Sequence, residues 1–142
     1  MSVLEALQAT LADEHAAVYT YGVLGARTSQ ASSPALFLAL DTAYRRHRSR
    51  RDQLRLFVVD AGGLPVAAEP AYELGGRLLQ PNAIGSAARA VEEASTVTLA
   101  GLVAQSAGRV REWALTEVIW SATWGLELGG DPQTWPGAPE LA

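Results

Sequence analysis

An all-α bundle of four helices, with one long crossover connection between the second and third, is the fold class this sequence predicts. Three observations lead to it. Apolar residues recur at alternating three- and four-residue steps in four separate segments. Helix start and stop signals bracket those segments, and a single long stretch rich in glycine and proline separates the second from the third. At 142 residues the chain has the size of one domain, able to bury roughly two-thirds of its unfolded surface.

The first helix is expected over about 2–29. Ser2-Val3-Leu4-Glu5 has the form of a capping box, in which the serine hydroxyl and the glutamate carboxylate satisfy free backbone N–H groups. Leu4, Leu7, Leu11, Val18, Tyr21 and Gly25 follow one stripe, and Glu14 is its polar member. The second helix, about 34–61, begins at Ser33-Pro34, where proline's missing N–H costs nothing, and stops at Gly62-Gly63 with Pro65 beyond. Its stripe runs Phe37, Leu40, Tyr44, His47, Arg51, Leu54 and Val58, so that polarity lies at the centre and apolar groups at both ends.

Residues 62–81 hold four glycines and three prolines, too many breakers for a helix. Extended, the segment reaches up to about 66 Å, more than the roughly 40 Å length of the preceding helix. It can therefore run back along the bundle as the single crossover of a ferritin-like topology. The third helix, about 82–106, carries Ala88, Glu92, Ser95, Leu99 and Leu102. A break near Gly108 leads to the fourth, about 109–126, with Val110, Trp113, Glu117, Trp120 and Trp124 on its inward stripe. Leu115, Val118, Ile119 and Ala122 make this helix apolar on other sides too, which calls for cover from the tail 127–142, from a second subunit, or from both. The tail, with Pro132, Pro136 and Pro139, is expected to be non-helical.

Composition narrows the chemistry. No cysteine is present, which removes disulfides, thiolate zinc sites and cysteine nucleophiles. All eleven basic residues are arginine, and alanine occurs 26 times, a pattern of GC-rich coding. The net charge of -4 gives no general attraction to nucleic acid. No apolar run approaches the roughly 18 residues of a membrane span, and the N-terminal stretch lacks the pattern of a secretory signal, so a soluble cytoplasmic protein is expected. The run Arg45 to Arg51 spreads over several helix faces, with Asp41 and Asp52 at pairing distance, and reads as a solvated surface or an intersubunit salt-bridge face.

Glu14, His47, Glu92 and Glu117 each fall near the midpoint of their own helix's core stripe, so all four are expected in one layer. Three carboxylates there need a compensating cation, shared protons or water. Metal would meet that need: di-iron bundles take Glu from two helices and Glu-x-x-His from the other two. Here the second and fourth helices offer Tyr44-x-x-His47 and Glu117-x-x-Trp120, so two of six ligands are missing, and an indole has no lone pair for a metal. Arg51, one turn from His47, offers a built-in cation instead. The expected structural layer is thus Glu14, Tyr44, His47, Arg51, Glu92 and Glu117, without catalytic residues or a cofactor. The alternative is an iron or manganese site using Glu14, His47, Glu92 and Glu117, with Tyr44 as an extra ligand.

The segments Glu14 to Gly22, His47 to Asp52 and Trp135 to Glu140 resemble those of an uncharacterised ferritin-like domain family of high-GC, actinobacterial-type bacteria. The resemblance spans nearly the whole chain and implies a ferritin-like bundle of no established activity. The functional expectation is a non-catalytic module, a homodimer that binds or scaffolds an unidentified protein; the alternative is an iron- or manganese-dependent oxidoreductase.

Overall fold

A computed structural model of the protein describes residues 1–74 and 81–141. It contains four α-helices, α1 (Val3–Ala26), α2 (Pro34–Asp60), α3 (Pro81–Gln105) and α4 (Gly108–Glu127), and a short 3-10 turn, Pro139–Leu141. No strand occurs among the described residues. The tail expected to be non-helical therefore contains one helical turn near its end.

Local chemistry explains where the helices start and stop. Ser2 and Glu5 form the capping box: the Glu5 N–H donates to the Ser2 hydroxyl, and the Ser2 N–H donates to the Glu5 carboxylate at 2.6 Å. α1 ends three residues earlier than expected because the Thr28 hydroxyl turns back to the Leu24 carbonyl at 2.8 Å and takes the place of a further helical bond. At the start of α2 the Ser33 hydroxyl makes no cap, and proline in the first turn defines the entry. The glycine pairs that follow α2 and α4 close them in the same way. Gly62 and Gly129 adopt φ values of 81° and 84°, and the next N–H in each case, from Gly63 or Gly130, reaches back to the carbonyl of Val58 or Gly125.

The four helices form a bundle in which α1 packs closely on α2 and α3, and α3 on α4. One apolar cluster joins Leu7 and Leu11 of α1, Leu54, Phe57 and Val58 of α2, Leu102 of α3 and Ala114 of α4. A second joins Tyr21 and Leu24, Leu40 and Ala43, Ile84 and Ala88, with Trp120 and Trp124 against it. Residue order in the two clusters means that α1 and α4 run one way and α2 and α3 the other. The polar layer lies between them.

After α2 the described chain runs beside α1. Gln8 donates to the Leu64 carbonyl at 2.6 Å and accepts from the Val66 N–H at 2.9 Å, His15 Nε2 lies 3.0 Å from the Val66 carbonyl, and Tyr72 packs on Tyr19 with ring centroids 5.5 Å apart. Residues 75–80, the last part of the expected crossover, lie outside the described residues. The tail leaves the outer face of α4 open. Gly137, at φ 76°, comes so close to α3 that a Cβ there would stand 2.1 Å from the Thr96 carbonyl. Leu115 and Ile119 of α4 remain 45% and 65% exposed.

Candidate functional site: a buried layer of charge

Three carboxylates, two arginines and a histidine meet between the apolar clusters. Each reaches the layer because its helix turns one seam inward. On α2 that seam is Leu40, Ala43, His47, Arg50, Leu54 and Phe57, all buried at steps of three or four residues. α1 contributes Glu14 and, two turns on, Tyr21; α3 contributes Glu92; α4 contributes Glu117 and Ser121.

On the α1–α3 side, His47 is fully buried between two carboxylates. Its Nδ1 lies 2.6 Å from Glu14 and its Nε2 3.1 Å from Glu92. An acceptor faces each ring nitrogen, so both carry protons only when the ring is an imidazolium. Burial alone would depress the His47 pKa, but the charge and hydrogen bond of Glu14, joined by those of Glu92, raise it from 6.5 to about 9. The same imidazolium, together with the Tyr21 hydrogen bond, overcomes the desolvation of Glu92 and holds that carboxyl below its ordinary range. Tyr21 donates its phenolic proton to Glu92 Oε1 at 2.5 Å and stacks on the imidazole at 5.1 Å between centroids. Burial and the nearby Glu92 charge push the Tyr21 phenol far above its usual value, so it stays a donor.

On the α2–α4 side, arginine supplies the positive charge. Arg46 grips Glu117 with two bonds, Nε at 2.8 Å and Nη2 at 2.7 Å. Arg50, only 1% exposed, donates from Nε to the same carboxylate at 2.6 Å, from Nη2 to the Glu117 carbonyl and from Nη1 to the Ser121 hydroxyl. Its Nη1 also stands 3.6 Å from Glu14 Oε1, which links the two sides. Trp120 packs against both guanidinium groups, 5.5 Å from Arg46 and 5.0 Å from Arg50, and meets the His47 ring edge-on. With His47 protonated, three positive groups balance Glu14, Glu92 and Glu117.

Outside this balance, Asp13 lies beside the layer and accepts from Ser95 at 3.0 Å and Thr98 at 3.2 Å. Desolvation and the Glu14 charge outweigh those two hydroxyls and raise its pKa from 3.8 to about 6.

Of the expected layer, the structure brings Glu14, His47, Glu92 and Glu117 together and places the other two elsewhere. Arg51 is not the core cation: it points outward and pairs with the adjacent Asp52 at 2.8 Å, because the α2 seam is centred on the Arg50 side of His47. Tyr44 does not reach the carboxylates. It packs against the second apolar cluster, with the Arg48 guanidinium over its ring at 5.6 Å. Arg46, Arg50, Tyr21 and Ser121 are the layer members that sequence reasoning missed. Spacing held a signal for Tyr21, which is seven residues from Glu14 on the same stripe. Arg46 and Arg50 lay hidden in a run of arginines that reads as a surface.

A metal at this layer needs an imidazole lone pair and carboxylate oxygens facing a common point. Both nitrogens of His47 face Glu14 and Glu92, the Glu117 oxygens face two guanidinium groups, and the Trp120 indole fills the space beside them. No three His, Asp or Glu side chains among the described residues converge in a way that can hold a metal ion. The donor set as arranged does not fit a di-metal centre.

No helix of the described chain is long and apolar enough to cross a membrane. Among curated proteins none matches the chain. Among solved structures it is similar to a conserved hypothetical protein of Mycobacterium tuberculosis, with a TM-score of 0.81 at 24% identity, over 88% of this chain and 92% of that one. At that identity the likeness speaks for the fold alone. Residues 6–140 match the model of a domain of unknown function, DUF4439, and the chain belongs to that family.

Proposed function

We propose that this protein is a non-catalytic helical module of ferritin-like topology, with one crossover connection between α2 and α3, in which the chain's own cations stand where a metal centre would otherwise answer the buried carboxylates. One observation carries the reading: both His47 nitrogens and both Glu117 oxygens are already engaged by internal partners. A network of this kind gives each charge its partner in a single register of the four helices, and so favours one packing over its alternatives. The result is a rigid support for protein binding in the cytoplasm. The exposed apolar side chains of α4, Leu115, Ile119 and Leu126, support a second copy as one such partner.

The test is to expose purified protein to Fe(II) and to Mn(II) without oxygen, desalt it, and follow metal content together with thermal unfolding. Retention at trace level with unchanged melting is the expected outcome. One or more metal ions retained per chain with a higher melting temperature would overturn it in favour of the iron- or manganese-dependent oxidoreductase. Sedimentation tests the homodimer: the wild type should sediment as a dimer and Ile119→Glu as a monomer, whereas a monomeric wild type would remove self-association from the reading.

A further inference from the structure

Between the C-terminal half of α1 and the N-terminal half of α2 lies an open groove of about 330 Å³, floored by Gly22 and Gly25 and walled by Phe37, Leu40, Asp41 and Tyr44. Its size falls in the roughly 300–1,000 Å³ range of small-molecule sites. Glycine inside a helix costs stability relative to alanine, and packing calls for neither of these two. A Cβ on Gly22 would come no closer than 3.7 Å to Tyr44, and one on Gly25 would meet nothing within 4 Å. Neither residue has a positive φ. What the pair does is keep the floor of the groove bare.

The lining from Phe37 to Tyr44 runs roughly 10 Å along α2. It is apolar apart from Asp41, which pairs with Arg45 at 2.9 Å. One turn beyond Tyr44, on the same face of α2, stands Arg48, with its guanidinium over the Tyr44 ring at 5.6 Å. Among the described residues no carboxylate pairs with Arg48: Asp41 and Asp52, the acids before and after it on α2, take Arg45 and Arg51 as partners. Aliphatic and aromatic surface therefore ends at an uncommitted cation. The complementary molecule has one slender apolar chain and an anionic head.

We propose that this groove binds a free fatty carboxylate of medium chain length, with the chain laid over Gly22 and Gly25 and the head group held by Arg48. A carboxylate matches the guanidinium fork with two parallel hydrogen bonds, and an unbranched chain fits a floor that has no side chains. The groove is separate from the buried layer and from the exposed face of α4, so it adds a small-molecule ligand to the module without depending on either.

Calorimetric titration of the full chain with decanoate, kept below the concentration at which it forms micelles, tests the site. Expected is saturation at one molecule per chain, with affinity lowered roughly tenfold or more in Arg48→Gln. Gly25→Leu should abolish binding, because its side chain fills the groove. It should melt no lower than wild type, since leucine is the better helix former and its Cβ meets no neighbour. Arg109→Gln, at the Asp60 end of the bundle, should bind as wild type does. No saturable binding would overturn the proposal, as would binding that survives Gly25→Leu or equal affinity for decyltrimethylammonium, which would leave Arg48 without a role. That last comparison uses wild type alone and can refute the site whatever the variants do. Without decanoate binding, a wild-type dimer that Gly25→Leu dissociates would give the groove to a second copy, and pelleting with phosphatidylglycerol vesicles would give it to a membrane; either result overturns the proposal.

Discussion

Glu117 and Glu92 belong to the same buried layer and keep their charge by different means. Glu117 is held by the guanidinium groups of Arg46 and Arg50. Glu92 is held by His47, whose charge depends on pH, and by the neutral phenol of Tyr21. One side of the layer is therefore permanently neutralised, and the other is conditional. α2 supplies the positive groups on both sides: His47 faces Glu14 of α1 and Glu92 of α3, whereas Arg46 and Arg50 face Glu117 of α4.

The largest effect is expected on the permanent side. Arg50→Met should lower stability by about 3–5 kcal/mol, because it removes the buried one of the two arginine partners of Glu117 and leaves Glu14 Oε1 without its nearest cation. Urea unfolding measures this, and a loss under about 1 kcal/mol would mean that Arg46 alone neutralises Glu117.

On the conditional side, His47→Gln should cost about 3 kcal/mol at pH 6, with the difference shrinking as pH rises. The folded-state pKa of His47 lies near 9, above the unfolded value of 6.5. The folded form thus holds an extra proton between those values, and stability is fully present below pH 6.5 and lost as pH rises through 9. Glu92 acts in the opposite sense: its depressed pKa contributes stability above the unfolded value of 4.5, which is lost as acid titrates the folded carboxyl. Unfolding midpoints from pH 6 to 10 should fall in wild type and stay flatter in His47→Gln. Equal slopes would remove the conditional charge from the comparison.

Asp13 sharpens it further, as a carboxyl hydrogen-bonded by hydroxyls and in direct contact with no cation among the described residues. Its raised pKa means that stability present below pH 3.8 declines as pH rises through about 6. Asn in its place can still accept from Ser95 and Thr98, so Asp13→Asn should stabilise the protein on the order of 1 kcal/mol at pH 8 and have almost no effect at pH 4. The smallest change is expected from Arg51→Ala, under about 0.5 kcal/mol, because an exposed pair with Asp52 contributes little. A loss comparable to that of Arg50→Met would return the core cation to Arg51.

That contrast between two adjacent arginines marks the limit of what could be read from sequence. From His47, Arg51 lies about 40° around the helix and Arg50 about 60° the other way, so spacing alone favours Arg51. Both choices share Leu40, His47 and Leu54, and at the centre they differ in whether Ala43 and Arg50 or Tyr44 and Arg51 complete the seam. Apolar content also favours the second set. What reverses it is the rotation of α2 against its neighbours, where small Ala43 permits close packing beside Tyr21 and Leu40, and the guanidinium of Arg50 finds Glu117, Ser121 and Glu14 together.

By itself the sequence determined the number and order of the helices, most of their ends, and the polar midpoint on each core stripe. These follow from short-range rules of periodicity, capping and glycine conformation that act within a few residues. Helix rotation, the side of the bundle that the tail covers, and the partner each buried charge takes were decided by tertiary structure alone. They depend on contacts between residues 33 to 85 positions apart, whose free energy no local window contains.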